Sequence, residues 1–454
     1  MRRSALYSFL LLIAFVTANG TITTAQDRTR LVVMTDIGGD PDDQQSLVRL
    51  LVHSDQFDLE GLLTSSRLEH GQDTKPELIY QQLDAYERVY ENLQKHSAAF
   101  PNPNHLRSLV HAGSGDQHQF GEGQDSPASE WLIKVVDKPD SRPLWVTVWG
   151  GQRELAQALW KVKETRSKAE ATNFVNKLRI HAIGNQDGHE RWIVQNFPEL
   201  FFMSNGFVNF GYPHVPKVRE YSAYRGMYMT GDETLGSAEW IQNHVVQDHG
   251  ALGAQYPADA AGKRGMKEGD SPSFLALIPN GFNVAERPDW GSFGGRFRRL
   301  NRNLYTDAVD FQDGVWNERL SVSRWRKYFQ NDFAARMDWC VKGFAEANHA
   351  PKIVLNQREG TEVIEISAKA GDLITLSAEG SSDPDGDTLK YSWWNYWEAG
   401  NYPGRLPLIN PESRDAEFVV PADASGIVLH LILEVTDTGV PALTAFRRIV
   451  IQVE

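Results

Sequence analysis

The chain has 454 residues, 41% hydrophobic and 23% charged, with a formal net charge of −13. Such a length and composition belong to a globular protein of two or three domains, and the acidic balance argues against nucleic acid or anionic membrane surfaces as partners. The single cysteine, Cys340, excludes an intramolecular disulfide and lies in an apolar, helix-like pattern that reads as core.

Residues 1–25 read as a signal peptide. Arg2 and Arg3 precede the apolar run LYSFLLLIAFV, and ANG and TTA offer small-residue cleavage sites near Gly20 or Ala25. The run is short for a bilayer span, an uncleaved anchor being the alternative. The expectation is a bacterial chain that is secreted or periplasmic, with no membrane insertion after cleavage. A large exported chain without disulfides fits that compartment.

Residues 26–350 begin with alternation. Strand-like runs (LVVMT, LEGLLT, SLVHAG, LWVTVW, LRIHAIG, ELFFMSN) are separated by helical-period segments from DDQQSLVRLLVHS to HERWIVQNF. Such alternation predicts a mostly parallel sheet flanked by helices, an α/β fold. Ser126 and Pro127 read as the N-cap and first residue of a helix. From Gly206 to His349 the pattern is irregular and rich in Gly, Arg and aromatics, becoming helical from Leu320. Residues 351–454 alternate apolar and polar residues between turn clusters, predicting an all-β, Ig-like sandwich. NHAPKIVLN reads as the linker.

The loop after LVVMT carries four aspartates, Asp36, Asp40, Asp42 and Asp43. Ligands of open parallel sheets bind beyond the carboxyl ends of the strands, where this loop lies. Asp42 and Asp43 suit the first turn of a helix, and Gly-Gly-Asp-Pro suits a turn. Neither role accounts for Asp36 at the end of a buried strand. Like charges this close raise one another's pKa or need a counter-ion, and a hard divalent cation, Ca²⁺ above all, supplies one.

TDIGGDPDD resembles the N-terminal signature of nucleoside hydrolases, with two extra residues in the loop. EGDSPSFLALIP and VTVWGGQRELAQAL resemble two later segments of that family. A closer resemblance is to a secreted bacterial family described as cellulose-binding, in which a nucleoside-hydrolase-like domain precedes a β-sandwich. AIGNQDGHERWIVQNFPEL, EGDSPSFLALIPNG and GSFGGRF carry it. The resemblance implies that Asp36, Asp43, Asp270 and the carbonyl of Trp149 bind Ca²⁺. It also implies that Asp36 or Asp42 is the general base, with Asp42 touching a sugar hydroxyl.

The family's histidine before the late aspartate is Gly269 here, with Glu268 one residue further back. Asn185, Gln186, Asp187, His189 and Trp192 stand where asparagine-rich ribose contacts would be. The candidate substrate-binding residues are therefore Asp42, Asn185, Gln186, Asp187, Trp192, Glu268 and Trp290, the last either stacking on a sugar or serving structure. Arg296 suits either a substrate contact or, the simpler reading, pairing with a carboxylate. The expected function is Ca²⁺-dependent hydrolysis of an N- or O-glycosyl bond in a sugar or a plant or algal polysaccharide-derived glycoside. The alternative is a non-catalytic cellulose-binding protein that keeps the metal site.

In the last hundred or so residues, Asp383, Asp385 and Asp387 form either a solvated turn or a second Ca²⁺ site, the turn being the simpler reading. Trp393, Trp394, Tyr396 and Trp397 form a dense row. Alternation puts Trp393 and one neighbour in a core, and leaves the others to stack on carbohydrate or to pack against the first domain.

Overall fold

The computed structural model describes residues 28–206, 222–258, 265–312 and 314–454. The expected signal peptide lies outside them. The strand β1 (Thr29–Thr35) runs through the middle of an eight-stranded sheet. Its partners are β2 (Phe57–Thr64) and β4 (Leu144–Val148), both parallel. Adding β3 (Val110–His111), β5 (Leu178–Ala182), β6 (Phe201–Ser204), β7 (Phe297–Asn301) and β8 (Leu304–Asp307) gives the order β3-β2-β1-β4-β5-β6-β8-β7. Only β7, at one edge, is antiparallel to its neighbour. That strand comes from a segment whose sequence reads as irregular, because GSFGG hides the short run that follows it.

β1 is apolar on both faces, as the sequence predicts, because both faces are covered. Leu31 and Val33 belong to one core cluster with Leu47 and Leu50 of α1 (Asp42–Val52). Val32 and Met34 belong to a second cluster with Leu155 and Leu159 of α5 (Arg153–Thr165). Between these helices come α2 (Pro76–His96), α3 (Pro103–Ser108) and α4 (Pro127–Val136), and α6 (Lys168–Asn176) and α7 (Glu190–Asn196) follow. The expected N-cap is present: the Ser126 side chain accepts from the Ser129 N–H, and Pro127 opens the helix. The chain departs in opposite directions after β1 and after β4, so the crevice between their carboxyl ends is the topological switch point.

A hairpin, β9 (Asp310–Gln312) and β10 (Val315–Asn317), leads into a helix at Leu320–Ser323 and a longer one at Arg326–Trp339. After a short pair, β11 (Val354–Leu355) and β12 (Arg358–Glu359), come β13 (Ile364–Ala368), β14 (Leu373–Ser377), β15 (Lys390–Asn395), β16 (Asp415–Val419), β17 (Val428–Thr436) and β18 (Thr444–Val453). They form one sheet in the order β13-β18-β17-β15 and a second of β14 and β16, with Leu376, Trp393, Phe418, Leu431 and Ile449 in a shared core. This is the layered β architecture that the alternation predicts.

The segment read as a linker is packed. Asn348 is buried and donates to Asp437, and the His349 N–H donates to Asp385 Oδ2 at 2.7 Å. Tyr396, Ile432 and Phe446 point away from the sandwich core and join the cluster of the first domain. Tyr396 Oη donates to Asp310 at 2.9 Å, and Trp394 lies 5.8 Å from Trp325. Packing against the first domain thus accounts for most of the aromatic row. Because the α/β and β parts share this interior, calorimetry is expected to record one cooperative unfolding transition. Two resolved transitions would contradict it.

Candidate functional site

The loops after β1 and β4 meet at the switch point. Gly38 takes φ +87°, a left-handed conformation that turns the chain straight out of the strand. The Trp149 N–H donates to Met34 O at 2.8 Å, which holds the loop after β4 beside Asp36. A Cβ on Gly150 would stand 2.4 Å from Asp36 Oδ1, so only glycine leaves room for that carboxylate.

The N-cap of α1 is Pro41 and no side chain caps the helix, so Asp42 and Asp43 are not there as caps. Asp43 instead accepts from the Thr35 hydroxyl and is buried. Asp270 arrives from the far end of the domain, opening the short helix Ser271–Leu275. Asp42, Asp43 and Asp270 each place a carboxylate oxygen within 4.8 Å of the others, a grouping able to hold a metal ion. Asp36 is also buried and faces this set. Burial, then the charge of Asp42, pushes the Asp36 carboxyl up to about 7. Burial and then Asp36 raise Asp43, while burial and then Asp42 raise Asp270. Asp270 Oδ2 is buried and has no hydrogen-bond partner. Hard carboxylate oxygens, that of Asp270 without a partner, are a donor set that suits a hard divalent cation.

These acids line a cavity of about 650 Å³ together with Trp149, Gln186 and Asp187. Gln186 Nε2 donates to the Trp149 carbonyl and to Ile183 O. Since a carbonyl has two lone pairs, that contact orients the Trp149 oxygen without consuming it. Asp187 is raised by its burial, and its Oδ1 accepts from the His189 N–H at 3.2 Å. Tyr224, Arg225, Tyr228, His70 and His118 line the same cavity. None of these five stands out in the sequence, since the first three lie in an aperiodic segment. Asp40, in the inserted part of the loop, accepts from Lys267 Nζ at 2.6 Å and so ties the two acid-bearing segments together.

Four residues read as substrate contacts stand elsewhere. Asn185 Oδ1 accepts from the Glu190 N–H and steadies the start of α7. Trp192 packs in the second core cluster, 4.6 Å from Phe120. Glu268 is fully buried and spends its oxygens on Arg49, on Tyr256 at 2.7 Å and on Ser271 at 2.7 Å. Trp290 is 7% exposed, between the Arg287 guanidinium at 4.1 Å and His430 at 4.8 Å, so its structural role is the one realised. Arg296 pairs with Asp310 at 2.6 Å, and Cys340 is buried, as their contexts predict. Around Asp383 the backbone N–H groups of residues 385 and 387 donate to Oδ1, the geometry of an Asp turn.

Residues 30–297 match the family described as cellulose-binding Sde182, nucleoside hydrolase-like domain. The chain belongs to that family. Residues 373–453 match the C-terminal domain of the cellulose-binding protein Sde0182. A solved structure of a nucleoside hydrolase-related hypothetical protein from Saccharophagus degradans, associated with carbohydrate metabolism, is 36% identical with a TM-score of 0.80. The match covers 94% of this Sde182-family chain and 100% of that one. A microbial collagenase of Vibrio alginolyticus is 26% identical over 117 residues, which span 25% of this chain and 13% of the collagenase. Among the described residues no helix is long and apolar enough to cross a membrane.

Proposed function

We propose that this chain is a secreted or periplasmic, Ca²⁺-dependent hydrolase of N- or O-glycosyl bonds. Its substrate is a sugar or a polysaccharide-derived glycoside. The observation that carries the proposal is the convergence of Asp36, Asp42, Asp43 and Asp270 at the switch point, with one buried Asp270 oxygen left without a partner. A hard divalent cation relieves both the repulsion and the unmet oxygen. Asp36, Asp43, Asp270 and the Trp149 carbonyl would hold it. Once bound, Ca²⁺ would orient vicinal sugar hydroxyls and acidify a water.

The chain's own residues do the rest. Asp36 or Asp42 accepts the proton of the water that attacks the anomeric carbon as the glycosyl bond breaks, and the departing group keeps the bonding pair and is protonated from solvent. Asp42 and Asp187 accept sugar hydroxyls, and Gln186 keeps the Trp149 carbonyl aimed at the site. Tyr224 and Tyr228, which line the same cavity, would contact the sugar.

A second reading, carbohydrate binding without hydrolysis, is favoured by the family's cellulose-binding description and by Gly269. There the Tyr224 ring lies 3.2 Å from where a Cβ would be, so a side chain at 269 would crowd it, and glycine itself offers no leaving-group acid. Calcium content and calorimetric Ca²⁺ titration come first, and no affinity for a divalent cation would defeat both readings. Wild type and Asp42→Asn are then compared on p-nitrophenyl glycosides, nucleosides and oligosaccharides, with and without EDTA. Hydrolysis lost on both substitution and chelation supports the hydrolase. Inactivity throughout, with retained sugar binding, transfers the conclusion to the binder.

A further inference from the structure

Among the large apolar side chains exposed on the described surface, two tryptophans lie against each other. Trp316, on β10 of the first domain, is 58% exposed, and Trp397, just past β15 of the second, is 36% exposed. Their ring centroids are 5.6 Å apart with the planes at 83°. Phe311 completes the corner, 4.9 Å from Trp316 and 6.3 Å from Trp397. None of the three lines the acidic cavity.

The corner is held from beneath. Glu398 follows Trp397, and its side chain is 2% exposed. Its Oε1 accepts from the Phe311 N–H at 3.3 Å and from Arg324 Nη1 at 3.0 Å. Arg324 also pairs with Asp310 at 3.0 Å, and Tyr396 donates to the same carboxylate. Glu398 Oε2 has no hydrogen-bond partner. The backbone beneath Phe311 and Trp397 is therefore held before any ligand arrives, which lowers the entropy lost on binding.

We propose that the Trp316–Trp397 corner binds a single, uncharged polysaccharide chain by stacking against the apolar C–H faces of its sugar rings. An exposed aromatic cluster marks an interaction site rather than stray core. Indoles present a negative π face that suits the weakly positive C–H bonds of a pyranose. The net charge of −13 disfavours anionic polymers and leaves a neutral polyhydroxyl chain as the ligand. Rings set at 83° do not make the coplanar platform that a flat array of packed chains needs, so the occupant is one chain. The site requires no cation and stands apart from the cluster of Asp36, Asp42, Asp43 and Asp270.

Native affinity electrophoresis in hydroxyethylcellulose, and calorimetry with cellohexaose, test this on the whole chain. Wild type is expected to be retarded by the neutral polymer and not by carboxymethylcellulose. Trp316→Ala and Trp397→Ala should each weaken cellohexaose binding about tenfold and the double variant should abolish it, while Trp316→Tyr retains most of it. Tyr80→Ala, at an exposed aromatic on α2 outside both sites, should leave the retardation unchanged. The proposal is overturned if wild type binds neither probe, if the double variant binds like wild type, or if Tyr80→Ala weakens binding as much as Trp316→Ala does. It is equally overturned if the double variant instead changes the sedimentation coefficient, which would make the corner a contact between copies. Both side chains being largely outside the core, the melting curve is the control for folding.

Discussion

Replacing Asp270 with asparagine is expected to stabilise the metal-free protein while abolishing its stabilisation by Ca²⁺. In wild type, carboxylates that repel one another are held in a buried site. Removing one charge relieves that repulsion, by on the order of 1–2 kcal/mol. It also removes the ligand whose free oxygen has no other use. A ligand that binds only the folded state raises its stability by mass action, so wild type should melt higher as Ca²⁺ is added and Asp270→Asn should not. The pH dependence has the matching sign. Asp36 has a folded pKa of about 7 against an ordinary 3.8, and Asp43 and Asp270 are raised as well. A raised acid favours the folded state while protonated, so its contribution is present below 3.8 and is lost as pH rises towards about 7. The metal-free wild type should therefore lose stability across that window, and saturating Ca²⁺ should flatten the loss. Differential scanning fluorimetry of both proteins, with EDTA and with Ca²⁺, checks each part. A metal-free Asp270→Asn that melts lower than wild type would refute it.

Glu268→Gln should be among the most damaging single substitutions in the chain. Glu268 and Arg49 have fully buried side chains and pair directly. Arg49 is further bound by Phe329 O at 3.1 Å and by Gln330 Oε1 at 2.6 Å, and Phe333 lies under its guanidinium at 3.8 Å. Taking away the carboxylate charge strands a buried cation, which costs about 3–5 kcal/mol. Denaturant unfolding measures that loss. The double variant Arg49→Met/Glu268→Leu should recover most of it, because a pair of apolar groups leaves no buried charge behind. If the double variant is as unstable as the sum of the single ones, the pair is not the cause. The same change should weaken Ca²⁺ binding, since the pair docks the segment that carries Asp270 onto α1.

The parallel sheet and the aspartate loop were legible because each writes a local signal: unbroken apolar runs for strands buried on both faces, and acids crowded into one turn. Glu268 was not, since its partner is 219 residues away and an isolated acid beside a metal ligand reads equally well as a sugar contact. Arg49 breaks the apolar stripe of α1, between Val48 and Leu50, and was the one available hint. Trp192 and Trp290 were misplaced for a different reason. Residue type says that an indole suits a sugar face, but not whether the neighbouring chain has already covered it. Tyr224, Arg225 and Tyr228 lie where no periodicity exists to assign a face. Trp397 escapes the alternation that orders the rest of its row because β15 ends at Asn395.

The β17–β18 hairpin has two allegiances. Leu431, Leu433, Ile449 and Ile451 fill the sandwich, while Ile432 and Phe446 belong to the interior of the α/β part. Arg448, on the same outward side, donates to Phe282 O at 2.9 Å and Gly291 O at 3.1 Å. Side chains change face at every residue, so inserting or deleting a single codon within this hairpin would exchange the two sets wholesale. The damage would not stay in one half of the molecule. In evolutionary terms the hairpin tolerates substitution but not change of length, and the boundary between the two halves is a poor place for recombination to cut.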